Sequence, residues 1–209
     1  SGVSKLDCLR AMLYHISLTI TENIGKNPIR GNFIRRSAES EGDCGENFTE
    51  AISGTDFFLP RGGGMNIAIG SDHAGFELKT FLLDELRKLG HEIDDCGAYA
   101  DEPVDYPDYA EKVCAHVRAG KARFGILVCG TGVGVSIAAN KQKGIRAALC
   151  ATEFTASMAR RHNDANVLAL GAMVTGKLLA LSIAETFLRE EFSRGERHVR
   201  RISKMMNFE

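Results

Sequence analysis

From Met65 onward the chain alternates short apolar runs with amphipathic segments, and this alternation leaves few folds open. Asn66-Ile-Ala-Ile-Gly70 is apolar, too short for a helix, and closed by glycine. Phe76 to Leu89 follows, with Leu78, Phe81, Leu82, Leu86 and Leu89 on one helical face. The pairing then recurs. Strands are predicted at His91 to Asp95, Phe124 to Val128, Ile145 to Leu149 and Asn166 to Leu170. Helices are predicted at Tyr106 to Ala119, Val133 to Lys141, Glu153 to Arg161, Thr175 to Phe192 and His198 to Met206. Phe124 to Val128 is apolar at every position but Gly125, as in a strand covered on both faces. Strand and helix in strict alternation give parallel neighbours joined by helical crossovers. The predicted fold class is α/β: a three-layer, doubly wound, Rossmann-like domain on a five-stranded parallel sheet.

Residues 1–64 do not share this pattern. Leu6, Leu9, Met12, Leu13 and Ile16 fit a short helix, Ser37 to Asn47 reads as a polar loop, and Arg61-Gly62-Gly63-Gly64 as a hinge. We place the domain boundary at Met65, giving an N-terminal extension (1–64) and a domain over 65–209. The opening Ser1-Gly2 reads as a tag remnant, and the extension is compatible with an over-long start upstream of Met65. It holds no recognisable chemistry and is expected to contribute no catalytic group.

Composition closes several function classes. Lys plus Arg (26) nearly equals Asp plus Glu (27), which argues against a polybasic nucleic-acid binder. No apolar run approaches the roughly 18 residues of a membrane span. Six cysteines without a CxxC pair or a leading signal segment fit neither a disulfide scaffold nor a structural zinc site. The expectation is a cytoplasmic enzyme or binding module without metal or redox cofactor.

In an open parallel sheet ligands bind beyond the carboxyl ends of the strands, so the loops there carry the candidates. The first strand is followed by Ser71-Asp72-His73-Ala74-Gly75, and the third by Cys129-Gly130-Thr131-Gly132-Val133-Gly134. Glycines at a helix entrance expose backbone N–H groups at the positive end of the helix dipole, which makes an anion site for a phosphate or an enediolate oxygen. A thiol at such an entrance ionises more readily and becomes a candidate base or nucleophile. Each feature also has a plainer reading. Cys129 can simply end a core strand, the glycines can serve a tight turn, and Asp72 can cap a helix with His73 solvated. His162, in Arg161-His162-Asn163-Asp164, lies near a helix end that favours its positive form. Arg197 and Arg201, four apart in the basic run from Arg194, share a helix face able to clamp a phosphate, although such runs are usually solvated.

Together the motifs resemble one family. Gly70-Ser-Asp-His-Ala-Gly-Phe76, Asp105-Tyr-Pro-Asp-Tyr109, Cys129-Gly-Thr-Gly-Val-Gly134 with Ala138-Ala-Asn-Lys141, Arg161-His-Asn-Asp-Ala-Asn-Val167 and Gly195-Glu-Arg-His198 occur in the order found in the type B ribose-5-phosphate isomerases, a family that includes galactose-6-phosphate isomerase subunits. The resemblance spans nearly all of 65–209 and none of 1–64. It implies a metal-free aldose–ketose isomerase of phosphosugars, of the pentose phosphate pathway if the substrate is ribose 5-phosphate. Cys129 matches the proton-transferring base and Thr131 the group beside it that holds the enediolate, with N–H groups of Gly130, Gly132 and Gly134 on the oxyanion. His162 matches the ring-opening residue, Asp72 and Asn163 the sugar-hydroxyl contacts, and His73, Arg197 and Arg201 the phosphate ligands. The resemblance further implies a homodimer, or a tetramer of dimers, in which His162 and Asn163 serve the partner's Cys129. One position departs. The loop after the fifth strand usually carries an arginine, a phosphate ligand from the partner, and here holds Met173. Loss of one charge-assisted contact is worth about 1.5–3 kcal/mol, which opens tetrose and hexose phosphates as alternative substrates. A phosphosugar-binding module without catalysis and a flavodoxin-like nucleotide binder are the readings from other classes.

Overall fold

The computed structural model describes residues 64–208, and the readings made for residues 1–63 lie outside them. The strands are β1 (Asn66–Ser71), β2 (Glu92–Asp95), β3 (Phe124–Cys129), β4 (Ala147–Leu149) and β5 (Val167–Gly171). The helices are α1 (Phe76–Lys88), α2 (Tyr106–Arg118), α3 (Val133–Asn140), α4 (Glu153–Asn163), α5 (Lys177–Arg189) and α6 (Glu196–Met206). All neighbouring strands are parallel, in the order β2-β1-β3-β5-β4. The five predicted strands all form.

Successive side chains of a strand point to opposite faces, so each central strand feeds two cores. Ile67, Ile69, Ile126, Val128, Leu168 and Leu170 pack on one face with Leu82 and Leu86 of α1 and Ile183 and Phe187 of α5. Ala68, Leu127, Cys129, Val167 and Ala169 pack on the other with Val113 of α2 and Val135 and Ala139 of α3. The second face uses smaller residues. A Cβ built on Gly125 would lie 2.7 Å from Val113 Cγ1, so only glycine fits that contact.

Several boundaries differ from the sequence reading for local reasons. β4 has three residues, not five. The N–H of Arg146 goes to Asn166 Oδ1 at 2.8 Å, and that of Ile145 to Gln142 O at 3.1 Å, so neither joins the ladder. α5 begins at Lys177 because Thr175 N–H closes a turn on Gly171 O at 3.0 Å and Gly176 is extended. α4 runs two residues beyond Arg161 and thereby takes in His162 and Asn163.

The chain reverses direction across the sheet between β1 and β3, leaving a crevice at their carboxyl ends. One buried cation fixes the loop beside that crevice. Lys79 of α1 is 1% exposed, and its ammonium donates to Asp95 Oδ1 (2.7 Å), Asp95 Oδ2 (2.8 Å) and Ala98 O (2.8 Å). All three protons are therefore satisfied away from water, as a buried charge requires. The clamped turn is bonded to the end of β1, with Ser71 N–H on Gly97 O (2.7 Å) and Ala98 N–H on Ser71 O (2.8 Å). Removing one member of a buried pair leaves the other uncompensated. Lys79→Met is therefore expected to lower unfolding stability by about 3 kcal/mol in urea titration, and a loss under about 1 kcal/mol would show that the pair does not hold this turn.

Candidate active site

At the carboxyl edge, β1 and β3 separate just after Asp72 N–H reaches Val128 O at 3.3 Å. Asp72 is buried, and its Oδ1 accepts the N–H of Gly75 at 2.9 Å, immediately before α1. One oxygen thus closes a turn ahead of α1 and does not cap it, because the N-cap is Gly75 and no side chain bonds the first turn. The other has no partner among the described residues. His73 is exposed, and its Nδ1 accepts the Val104 N–H at 3.3 Å. That bond assigns the ring proton to Nε2, which becomes a donor facing away from its own backbone anchor.

Cys129 is the last residue of β3, 5% exposed, with its sulfur at the mouth of α3. Sγ accepts the N–H of Gly132 at 3.1 Å. The turn that brings this donor back onto the sulfur requires Gly132, which caps α3 at φ +78°. A Cβ there would also meet Leu149 Cδ1 at 2.5 Å and the Leu170 carbonyl carbon at 2.9 Å. Gly134 is needed for a different reason, because the ring of Tyr106 lies where its Cβ would be, at 2.8 Å. Gly130 has more room. Thr131 is exposed beside them. Burial pushes Cys96 and Cys114 up to about 11 and raises Cys150 as well, so these remain protonated.

His162 and Asn163 form the last turn of α4 and lead into the amino end of β5. The His162 ring stacks on His198 of α6, with centroids 4.2 Å apart and planes 8° from parallel. Arg197 Nε donates to His198 Nε2 at 3.2 Å, and Arg197 and Arg201 are exposed. Val167 pairs with Gly125, whereas Cys129 pairs with Gly171 at the far end of the same two strands. Those four residue steps span roughly 13 Å at the usual rise per residue.

The candidates therefore fall into two sets. Asp72, His73, Cys129, Gly130, Thr131, Gly132 and Gly134 share the carboxyl edge. His162, Asn163, Arg197 and Arg201 share the amino edge, and a single chain does not bring the two sets together. The sequence reading grouped His162 with the strand-end loops, but it precedes its strand, and position before a parallel strand means the opposite edge. Met173, 75% exposed, lies on the same edge as its own chain's thiol, with its N–H on Gly130 O at 2.9 Å. Sequence reasoning assigned no site role to His198, to Tyr106 against Gly134, or to Arg146, which donates to the carbonyls of Asn163 (3.1 Å) and Asp164 (2.9 and 2.7 Å). His198 stood in a matched motif, but its stack on a ring 36 residues away leaves no local pattern. Among the described residues no group of three or more His, Cys, Asp or Glu is placed to hold a metal ion, and no helix is long and apolar enough to cross a membrane.

Fold and site define a doubly wound α/β protein with a glycine-cradled thiol at the carboxyl edge of its sheet. The sequence profile of the family described as Ribose/Galactose Isomerase matches residues 67–205, and the chain belongs to that family. It is 45% identical over 143 residues to the ribose-5-phosphate isomerase B of Escherichia coli, covering 68% of this chain and 95% of that one. Among solved structures, a ribose-5-phosphate isomerase B of Clostridium thermocellum is 51% identical with a TM-score of 0.68, covering 69% of this chain and 97% of that one. The type B ribose 5-phosphate isomerase of Trypanosoma brucei is 47% identical, also at 0.68, covering 70% and 99%.

Loss of solvation, then the positive charge of His162, Arg197 and Arg201, holds His198 below the ordinary 6.5. The folded state thus prefers neutral His198. Its contribution to stability is complete above pH 6.5 and is lost as pH falls through the lowered folded value. His198→Phe keeps a stacking ring and removes the titration. Its melting temperature is expected to fall less steeply below pH 6.5 than that of the wild type. Burial also lowers His91, but that group is common to both proteins and cancels in the comparison. Parallel pH profiles would contradict this role of His198.

Proposed function

We propose that the protein interconverts an aldose phosphate and a ketose phosphate, ribose 5-phosphate and ribulose 5-phosphate, at a site made by two copies of the chain. The observation that carries this reading is the thiol of Cys129 under the Gly132 N–H, at the edge of the sheet where ligands bind. The similar proteins named ribose-5-phosphate isomerase B support the substrate. The division of candidates between the two edges supports the shared site, since a chain with its sulfur at one edge and His162 at the other needs a second copy to join them.

In this reading His162 of the second copy gives a proton to the ring oxygen while the anomeric hydroxyl loses its own to solvent, so the bond from C1 to the ring oxygen breaks and the open aldose forms. Cys129, as thiolate, takes the C2 proton of the open aldose, a proton passes from O2 to O1 of the enediolate, and the thiol returns its proton at C1, leaving the ketose. The negative charge that passes from sulfur to oxygen during this transfer needs nearby donors. Gly132 N–H already faces the sulfur, so the N–H groups of Gly130 and Gly134, with the Thr131 hydroxyl, receive the enediolate oxygen. Asp72 and Asn163 hold sugar hydroxyls. His73 Nε2–H, Arg197 and Arg201 bind the phosphate, whose remote binding energy fixes the reacting carbons. None of these steps calls for a metal or redox cofactor.

Met173 favours a second reading within the same chemistry. A thioether stands beside Gly130 where the resembling family carries a cation, which suits a phosphosugar of another length. Turnover across tetrose, pentose and hexose phosphates decides between the two. For the site itself, Cys129→Ala is expected to lower turnover by about 10²–10⁴-fold, the usual share of a general base, while sugar-phosphate binding by calorimetry persists. Near-full turnover in that variant would exclude Cys129 as the base.

A further inference from the structure

We infer that Asp164, held between Arg146 and Arg160, is a positioning residue that aims His162 at the second copy's thiol. This rests on the shared-site reading above. Asp164 follows His162 by two residues and adopts φ +45°, a left-handed conformation that side chains rarely take. Its carboxylate accepts from Arg160 Nη1 at Oδ1 (2.8 Å) and from Arg146 Nη2 at Oδ2 (3.1 Å). Its carbonyl accepts twice more from Arg146, at 2.9 and 2.7 Å.

The two arginines are themselves fixed. Arg160 is 5% exposed, donates to Ala165 O (2.6 Å) and Glu190 O (3.3 Å), and lies over the Phe124 ring at 4.6 Å. Arg146 donates to Asn163 O at 3.1 Å and also reaches Met206 Sδ at 3.8 Å, at the far end of the helix that carries His198. One guanidinium therefore ties together the end of α4, the connection into β4, and α6.

A charge cluster whose carboxylate is 37% exposed adds little net stability. What it adds here is direction. The His162 ring has no hydrogen bond among the described residues, and only its stack on His198 and its own backbone aim it. The backbone at that point is set by the Asp164 corner. A ring displaced by about 1 Å loses on the order of 10²-fold in a positioned proton transfer.

The chemistry supplies a readout that fold support alone would not move. Ribulose 5-phosphate carries its phosphate on the only hydroxyl that can close a five-membered ring, so it is acyclic. Exchange of its C1 hydrogen with solvent deuterium reports the thiol chemistry without ring opening, whereas turnover of ribose 5-phosphate requires both. Asp164→Asn keeps the shape and tolerates the left-handed backbone but gives up both ion pairs. It is expected to lower ribose 5-phosphate kcat/KM by about 10²-fold while C1 exchange on ribulose 5-phosphate stays within about threefold. Arg146→Lys, which keeps a charge for Asp164 but not the forked reach to the carbonyls, should fall between Asp164→Asn and wild type. Equal losses in both readouts, or no loss, would overturn the inference. His162→Ala separates this failure from that of the underlying reading. If His162→Ala shows the split and Asp164→Asn does not, the positioning role alone is wrong. If His162→Ala shows no split, the ring-opening reading falls and the inference with it.

Discussion

A parallel sheet has two unlike ends, and this chain puts its thiol at one and its paired imidazoles at the other. No loop movement within one subunit bridges that separation, because both groups belong to rigid elements anchored in the core. Cys129 closes a fully buried strand, and His162 ends a helix pinned by Arg160 and Arg146. In the reading proposed above, catalysis by these groups depends on association between copies, and the symmetry of a two-fold dimer would form the site twice.

The carboxyl edge is built by close approach. Gly132 turns left-handed so that its N–H returns to the sulfur of Cys129, and Leu149 and the end of β5 fill the space a side chain would take. Cys129 is paired with Gly171, where a Cβ would strike the Thr131 carbonyl oxygen at 2.5 Å. The sulfur is thus nearly buried yet held at a helix mouth, with packing on its sheet side and a backbone donor on the other. On the far side of the crevice, the Lys79–Asp95 clamp fixes the turn bonded to Ser71, and so the strand end from which Asp72 and His73 project. The amino edge uses guanidinium clamps instead of glycine turns, and Arg146 there serves two helices at once.

Much of this was legible in the sequence, for reasons that differ by residue. The strands declare themselves because β1, β3 and β5 are buried on both faces and must be apolar at nearly every position. β4 was overextended because apolar residues continue past the point where Asn166 captures the Arg146 N–H, a contact between residues 20 apart in the chain. The thiol and its glycines were readable as one motif because the geometry is local, from Cys129 to Gly134. The split between the two edges was not readable from composition or spacing. It follows from the order of α4 before β5 in a parallel sheet, and the sequence reading reached it only as an implication of the family resemblance. The His162–His198 stack, the Asp164 corner and the fit of Tyr106 over Gly134 were hidden because each joins segments distant in the chain.

The sharing of the site between copies is tested most directly by mixing two inactive variants. Cys129→Ala and His162→Ala chains, unfolded together and refolded, form mixed dimers with one intact and one doubly defective site. Because half of randomly assembled dimers are mixed, about a quarter of wild-type activity on ribose 5-phosphate should return. If each chain carries a complete site of its own, the mixture stays as inactive as its parents.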